Sequence, residues 1–279
     1  MKALYDSTSL AVSRIITNRY STSFSLGIRF LAKRFREPIY AIYGFVRVAD
    51  EIVDSFHDYN KKELLDRFIN DTKHAIENKI STNPVLNAFQ KTVHEYNIEY
   101  ELIQTFLDSM EMDLYDRTYD PDKYNKYILG SAEVVGLMCL HVFTENNFEL
   151  YEKLKPYAMK LGSAFQKINF LRDVKNDYEI LGRTYFPNVN IKKLSEADKK
   201  RIEAEIEDEF NMALKGILML PVDARFGVYV AYVYYRSLLR KIKKLPPQKI
   251  LNERVRVPNS EKILLFAGSL IRNRLNMIA

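Results

Sequence analysis

The sequence predicts an all-α fold, on three observations. Glycine and proline are scarce, nine of each in 279 residues, which suits long helices better than a turn-rich β architecture. Apolar residues recur at three- and four-residue steps, and no stretch alternates convincingly with period two. Breaks fall at helix-length intervals, at Asn83-Pro84, at Tyr119 to Asp122, at Gly182 to Pro187 and at Pro221. No internal repeat or low-complexity linker divides the chain, so one all-helical domain over 1–279, of roughly ten helices, is expected.

In chain order, 1–20 reads as a first helix with Leu4, Leu10, Ile15 and Ile16 apolar. Ser21-Thr22-Ser23-Phe24-Ser25 is a hydroxyl cluster around one aromatic and reads by itself as a capping turn. Glu37-Pro38 places proline in the first turn of the next helix, which runs to about His57. Helices follow over 61–79, from Pro84 to about Tyr96, and over 98–117, where the acids Asp108, Glu111 and Asp113 read mostly as solvated. Tyr124 to Phe143 is apolar and rich in small residues, with Glu133 its one internal charge. A long helix spans 151–181. Ser195-Glu196-Ala197-Asp198 opens a charged helix ending near Leu220, and 224–244 is an aromatic one. A proline-containing loop over 245–260 precedes a last helix over 261–279.

The composition, 47% hydrophobic and 28% charged, is that of a globular protein with ample core. A net charge of +6 favours anionic partners. The basic run from Arg236 to Lys262 carries nine Lys/Arg, but its aromatic spacing reads as core and its charge as a solvated face touching anionic lipid; nucleic acid is not expected. The single cysteine, Cys139, excludes a disulfide framework. The four histidines lack zinc spacing. No apolar run approaches membrane-spanning length and no leader pattern opens the chain, so a cytoplasmic, at most peripherally membrane-bound, protein is expected.

Two helices carry the chemistry. In Tyr40 to Asp54, the residues Tyr43, Arg47, Asp50 and Asp54 stand at i, i+4, i+7 and i+11, one face of a helix otherwise covered by apolar side chains. Gln166, Asn169, Asp173 and Asp177 repeat that logic on a second apolar helix, with Arg172 and Arg183 beside them. One acid pair is ordinarily a solvated face; two on apolar helices point to a shared polar floor. Carboxylates enclosed this way need a cation between them or a raised pKa. Oxygen donors without His or Cys suit a hard cation, most simply Mg²⁺, which shares its shell with substrate phosphates. Arg47, Arg172, Arg183 and Arg254 would hold the remaining phosphate oxygens. A diphosphate on an apolar tail is the substrate this chemistry describes; its departure leaves an allylic cation that tyrosine faces stabilise.

These residues resemble the squalene/phytoene synthases, the head-to-head trans-isoprenyl diphosphate synthases. Ser21-Thr22-Ser23-Phe24 is similar to that family's Ser-x-Ser-Phe opening, and Ala41, Tyr43, Arg47, Asp50 and Asp54 to its first aspartate motif with lead-in. Tyr127 to Gly136 resembles its Tyr-rich segment. Gln166, Asn169, Arg172, Asp173, Asp177, Arg183, Tyr185 and Pro187 resemble its second motif, and Tyr235 to Leu238 and Arg254 to Val257 its late signatures. The resemblance spans about residues 20 to 260. It implies an isoprenoid-synthase helical bundle around a central cavity. It also implies that Asp50, Asp54, Asn169, Asp173 and Asp177 bind Mg²⁺, with Mn²⁺ an alternative. By the same resemblance Arg47, Arg172, Tyr235 and Arg254 contact diphosphate and Tyr127 faces the cation. Tyr43 joins these as catalytic, and Ser21, Ser23, Phe24, Gln166, Arg183 and Tyr185 as substrate-binding residues. Ile28 and Tyr40 would line the tail pocket.

The implied reaction joins two prenyl diphosphates through a cyclopropylcarbinyl diphosphate to a 1'-1 linked polyene. Ile28 is smaller than the Phe found there in some C15-using relatives, which favours geranylgeranyl diphosphate and phytoene; squalene or dehydrosqualene from farnesyl diphosphate is the alternative. NADPH is expected only for squalene, and no G-x-G-x-x-G fingerprint is present. Two departures stand out: Glu51 where many members have Asp, leaving a metal role open, and Glu133 where the family usually has Gly, a carboxylate expected to need a partner among the arginines. A type I terpene cyclase and a non-catalytic member of the fold are the rivals; the Tyr43/Arg47 lead-in and the intact carboxylates weigh against them. Oligomeric state is left open.

Overall fold

A computed structural model describes residues 1–252 and 254–274, and for Thr22, Ser23, Asn176, Lys192, Asn259, Ile263 and 271–274 the backbone alone. The expectation for the Ser23 side chain, and that for the last helix beyond 274, lie outside the described residues. Every long element is helical: α1 Lys2–Tyr20, α2 Thr22–Arg29, α3 Lys33–Asp54, α4 Lys61–Asn78, α5 Pro84–Glu95 and α6 Tyr100–Tyr115. Then come α7 Pro121–Ile128, a π turn Leu129–Glu133, α8 Val134–Thr144, α9 Phe148–Glu179, α10 Glu196–Met219, α11 Val222–Lys243, α12 Pro247–Asn252 and α13 Asn259–Arg274. Among the described residues the only β pairing is an isolated bridge, Thr118 to Thr184.

Several elements differ from the sequence reading. The hydroxyl cluster is both a cap and a helix: the Ser21 side chain accepts from the Phe24 N–H and starts α2, eight residues long and too short to show a period. The Pro38 helix begins earlier, at Lys33, with Pro38 buried inside it. The 245–260 loop holds α12. In α1, Leu4 and Ile15 are exposed while Ser9, Ser13 and Thr17 are fully buried. Small side chains let α1 lie close on α3: a Cβ on Gly44 would stand 3.0 Å from that of Ser13. Thr17 donates to the Ser13 carbonyl at 2.8 Å, so this stripe is satisfied without water.

Two apolar clusters form the core. One joins α3, α4, α5, α6 and α8, with Phe45 stacked on Phe89 at 3.9 Å and near Phe68 and Phe106. The other joins α7, the second half of α9, α10 and α11. Helix α3 packs on α1, α4, α5, α6 and α8; α9 packs on α8, α10 and α11. Both clusters contribute walls to a cavity of about 1110 Å³ between α3 and α9. By length and composition the stretch Pro121–Thr144 is apolar enough to cross a membrane, contrary to the sequence expectation, but most of it is buried in this core.

Close approach holds α9 against the π turn. A Cβ on Gly162 would stand 2.7 Å from the Ala132 carbonyl oxygen, which is backbone and cannot swing away. Gly162→Ala is therefore expected to destabilise the protein by about 1–3 kcal/mol, the cost of overpacking. Denaturant unfolding measures it; an unchanged midpoint would show that α9 can shift freely.

Candidate active site

The first acidic face lies on α3 because the apolar remainder of that helix is consumed by the phenylalanine stack. Ile39, Tyr43, Val46, Arg47, Asp50 and Asp54 line the cavity. The second lies on α9, where Phe165, Gln166, Asn169, Phe170, Arg172, Asp173 and Asp177 do the same. Ser21, Phe24, Ile28, Tyr127, Tyr185, Tyr235 and Arg254 complete the set drawn together from distant parts of the chain. Phe24 rests on Tyr43 with ring centroids 5.2 Å apart. Tyr235 stacks on Phe165 at 3.9 Å and donates its hydroxyl to Asn169 Oδ1 at 3.2 Å. Gln166 donates to Ser131 Oγ on the π turn at 3.2 Å.

Two expected residues are placed elsewhere. Tyr40 is buried but does not line the cavity; it is one residue round the helix from Ile39, and Arg14 of α1 lies over its ring at 5.9 Å. Arg183 is also outside the cavity lining and only 3% exposed, so it is not placed to hold substrate phosphate. It is a brace: Nη1 donates to Asp54 Oδ1 at 2.8 Å and lies 3.3 Å from Asp113 Oδ1, and Nη2 donates to the Asp113 carbonyl at 2.8 Å.

Asp113 is the residue the sequence reading assigned to solvent. It is 4% exposed, lines the cavity, and accepts from Tyr127 at 2.7 Å and from Tyr119 at 3.4 Å. Its signal was available: Ile103, Phe106, Leu107, Met110 and Asp113 are the buried positions at i, i+3, i+4, i+7 and i+10 of α6. Rings gather around it: Tyr127 lies 5.1 Å from Tyr119 and 5.2 Å from Tyr185, and Tyr185 stacks on Phe170 at 4.0 Å. Glu133 is half-buried, and burial raises its carboxyl pKa; the cations that offset this are Lys160 and Lys167, not arginines.

The acidic faces strain against their own charge. Desolvation, then the neighbouring Asp54, push Asp50 up to about 7. Desolvation, then Asp173 and Asp54, push Asp177 up to about 8. Desolvation, opposed by Arg183, leaves Asp113 at about 7. Asp173 is covered by Arg172, with Nε at 3.1 Å from each oxygen, and by Arg254, with Nε at 2.7 Å. Among the described residues no three acidic, His or Cys side chains have converged as a ligand set. The donor chemistry nevertheless fits a hard cation. Asp50, Asp54, Asn169, Asp173 and Asp177 are oxygen donors only, and two of them carry pKa values that a divalent cation would relieve.

The sequence profile of the family described as squalene/phytoene synthase matches residues 17–261. A 4,4'-diapophytoene synthase of Staphylococcus haemolyticus is 26% identical over 82% of this chain and 85% of its own. A phytoene synthase of Arthrospira platensis is 26% identical over 96% of this chain and 94% of its own. A presqualene diphosphate synthase of Zymomonas mobilis is 32% identical over 64% of this chain and 60% of its own. Among solved structures, a dehydrosqualene synthase in complex with ligand superposes with a TM-score of 0.82, at 21% identity, over 97% of this chain and 98% of its own. A squalene synthase from Alicyclobacillus acidocaldarius gives 0.74, at 20% identity, over 85% and 94%. These structures share the fold.

Two outcomes follow from the charge balance. Arg183→Met leaves Asp113 buried without its cation and should cost about 3 kcal/mol or more. Adding Asp113→Asn should recover part of the loss, a non-additivity that denaturant unfolding of the two variants measures. The raised carboxyls also fix a sign. Their folded pKa values exceed the unfolded value, so their contribution is full below about pH 4 and is lost as pH rises through about 7 to 8. Metal-free protein should melt at falling temperature from about pH 5 to about pH 8, and Mg²⁺ should restore more at the upper end. A Mg²⁺ effect confined to low pH would contradict this.

Proposed function

Because the chain belongs to the squalene/phytoene synthase family, whose activity is head-to-head condensation of prenyl diphosphates, we propose that it joins two geranylgeranyl diphosphates to phytoene through a cyclopropylcarbinyl diphosphate. The observation that carries this is one cavity with two chemistries. Acidic faces from α3 and α9, with Arg47, Arg172 and Arg254, form the polar part. Ile28, Leu31, Ile39, Phe143, Leu154 and Leu220 line an apolar remainder suited to prenyl tails.

A divalent metal, when bound, neutralises the diphosphate and assists its departure. Asp50, Asp54, Asn169, Asp173 and Asp177 would hold Mg²⁺, or Mn²⁺ in its place. Arg47, Arg172 and Arg254 present N–H donors to the phosphate oxygens. Arg172 and Arg254, which cover Asp173, must give it up for this, and substrate phosphate is the anion that replaces it. Tyr127, Tyr185, Phe165 and Tyr235 turn ring faces toward the cavity, where an allylic cation is stabilised and water excluded. The Tyr127 hydroxyl donates to Asp113, which fixes the ring beside the reacting carbons. Loss of a proton ends the sequence, so the reading needs no NADPH.

Ile28 supports the C20 choice: it is 2% exposed, lines the cavity and is short for its position. The staphylococcal relative's name favours a second reading, two farnesyl diphosphates joined to dehydrosqualene. Incubation with Mg²⁺ and either diphosphate, with and without NADPH, should yield a C40 hydrocarbon from the C20 substrate. Ile28→Phe should lower C20 turnover and spare C15 turnover. A C30 product with the C20 diphosphate left unreacted would establish the second reading.

A further inference from the structure

Arg47 is held on three sides. Its guanidinium carbon lies 4.4 Å from the centroid of the Tyr20 ring, in cation–π geometry. Nη2 donates to Glu51, one turn further along α3, and Nη1 stands 3.5 Å from Asp50 Oδ2. Nε is buried and has no partner among the described residues. A guanidinium is a rigid planar fork with five donors. Tyr20 covers one face and the two carboxylates take one edge.

Glu51 is outside the cavity lining, although Asp50 and Asp54 of the same helix are in it. Helix geometry gives the reason: Glu51 is about 100° round from Asp50 and stands at i+4 from Arg47. Tyr20 does line the cavity, at the end of α1. The next residue, Ser21, hydrogen-bonds Tyr43, which precedes Arg47 by one turn. The corner between α1 and α2 therefore touches this face of α3 at two neighbouring points.

Building on the reading that the site takes prenyl diphosphates, we propose that Tyr20 and Glu51 form a clamp that aims Arg47 at the diphosphate, Glu51 being a positioning residue for that arginine and not a metal ligand. The alternative partner for Arg47 is Asp50. An unclamped guanidinium would close the 3.5 Å gap and neutralise a carboxylate that the cation requires. Glu51 gives the charge a partner on the far side, and the Tyr20 ring holds the plane of the fork. The side chain that departs from the family's usual Asp thereby acquires a task for which its extra methylene supplies the reach.

Binding of inorganic diphosphate in the presence of Mg²⁺ tests this on the full chain, together with steady-state kinetics and melting curves. Tyr20→Leu and Glu51→Gln should each weaken diphosphate binding about fivefold or more, the scale of a desolvated cation–π contact. Both should raise KM more than they lower kcat, with little change in the Mg²⁺ concentration for half-maximal rate. Tyr20→Phe, which keeps the ring, should restore binding. The clamp is refuted if Tyr20→Leu binds as wild type does, or if Glu51→Gln raises the Mg²⁺ requirement about tenfold, as loss of a metal-site group would. Tyr20 is exposed, so its two variants decide the matter even if Glu51→Gln does not fold. Wild-type protein that binds no diphosphate with Mg²⁺ would instead remove the functional reading on which the clamp rests.

Discussion

Two acidic helix faces can line one enclosed space only if something cancels their charge. In this protein arginines do so, and each is placed differently. Arg183 is walled into the core, where it bridges Asp54 to Asp113 and cannot leave without breaking contacts on three elements. Arg172 and Arg254 reach Asp173 from the cavity side, and Arg254 is 42% exposed at its side chain. The first is fixed; the other two are exchangeable. A buried ion pair is seldom a net source of stability, because desolvation offsets the attraction. What the arginines provide here is an acidic site that tolerates its own charge before substrate and metal arrive.

The rest of the fold serves that arrangement. The phenylalanine stack around Phe45 consumes the apolar side of α3 and leaves only the Tyr43-to-Asp54 face for the cavity. Glycines at 44 and 162 bring α1 and the π turn close to their neighbours, so the space left over is concentrated between α3 and α9. Tight packing everywhere else is what makes one large void affordable in a protein interior.

Much of this was legible in the sequence. Helix periods placed the long elements, and the two charged stripes marked opposite walls of one site before any coordinates were consulted. What escaped had physical reasons. The helix α2 is eight residues long and depends on a serine cap and on packing against α11, signals too short to read as a period. The buried face of α1 is made of Ser9, Ser13 and Thr17, which look like surface until backbone bonds satisfy them. Asp113 was set aside because it lacks an acidic partner on its own helix; its partners are two tyrosines and an arginine from elsewhere in the chain. Arg183 carried the right charge in the right motif, yet a sequence motif does not distinguish a side chain that faces the ligand from one that braces the wall behind it.

The π turn at Leu129–Glu133 has an evolutionary consequence. A π turn holds one residue more than the α-helical turn it replaces. Deleting a single residue there would yield an unbroken helix with a more regular hydrogen-bond ladder, a change that looks harmless locally. It would also rotate everything from Val134 to Thr144 by about 100° relative to Tyr127, carrying Val135, Gly136, Cys139 and Leu140 off the cavity wall. Length in this segment is thus under tighter constraint than composition: substitutions that respect size can drift, whereas a one-residue gap would leave a well-formed helix with its wrong side toward the cavity.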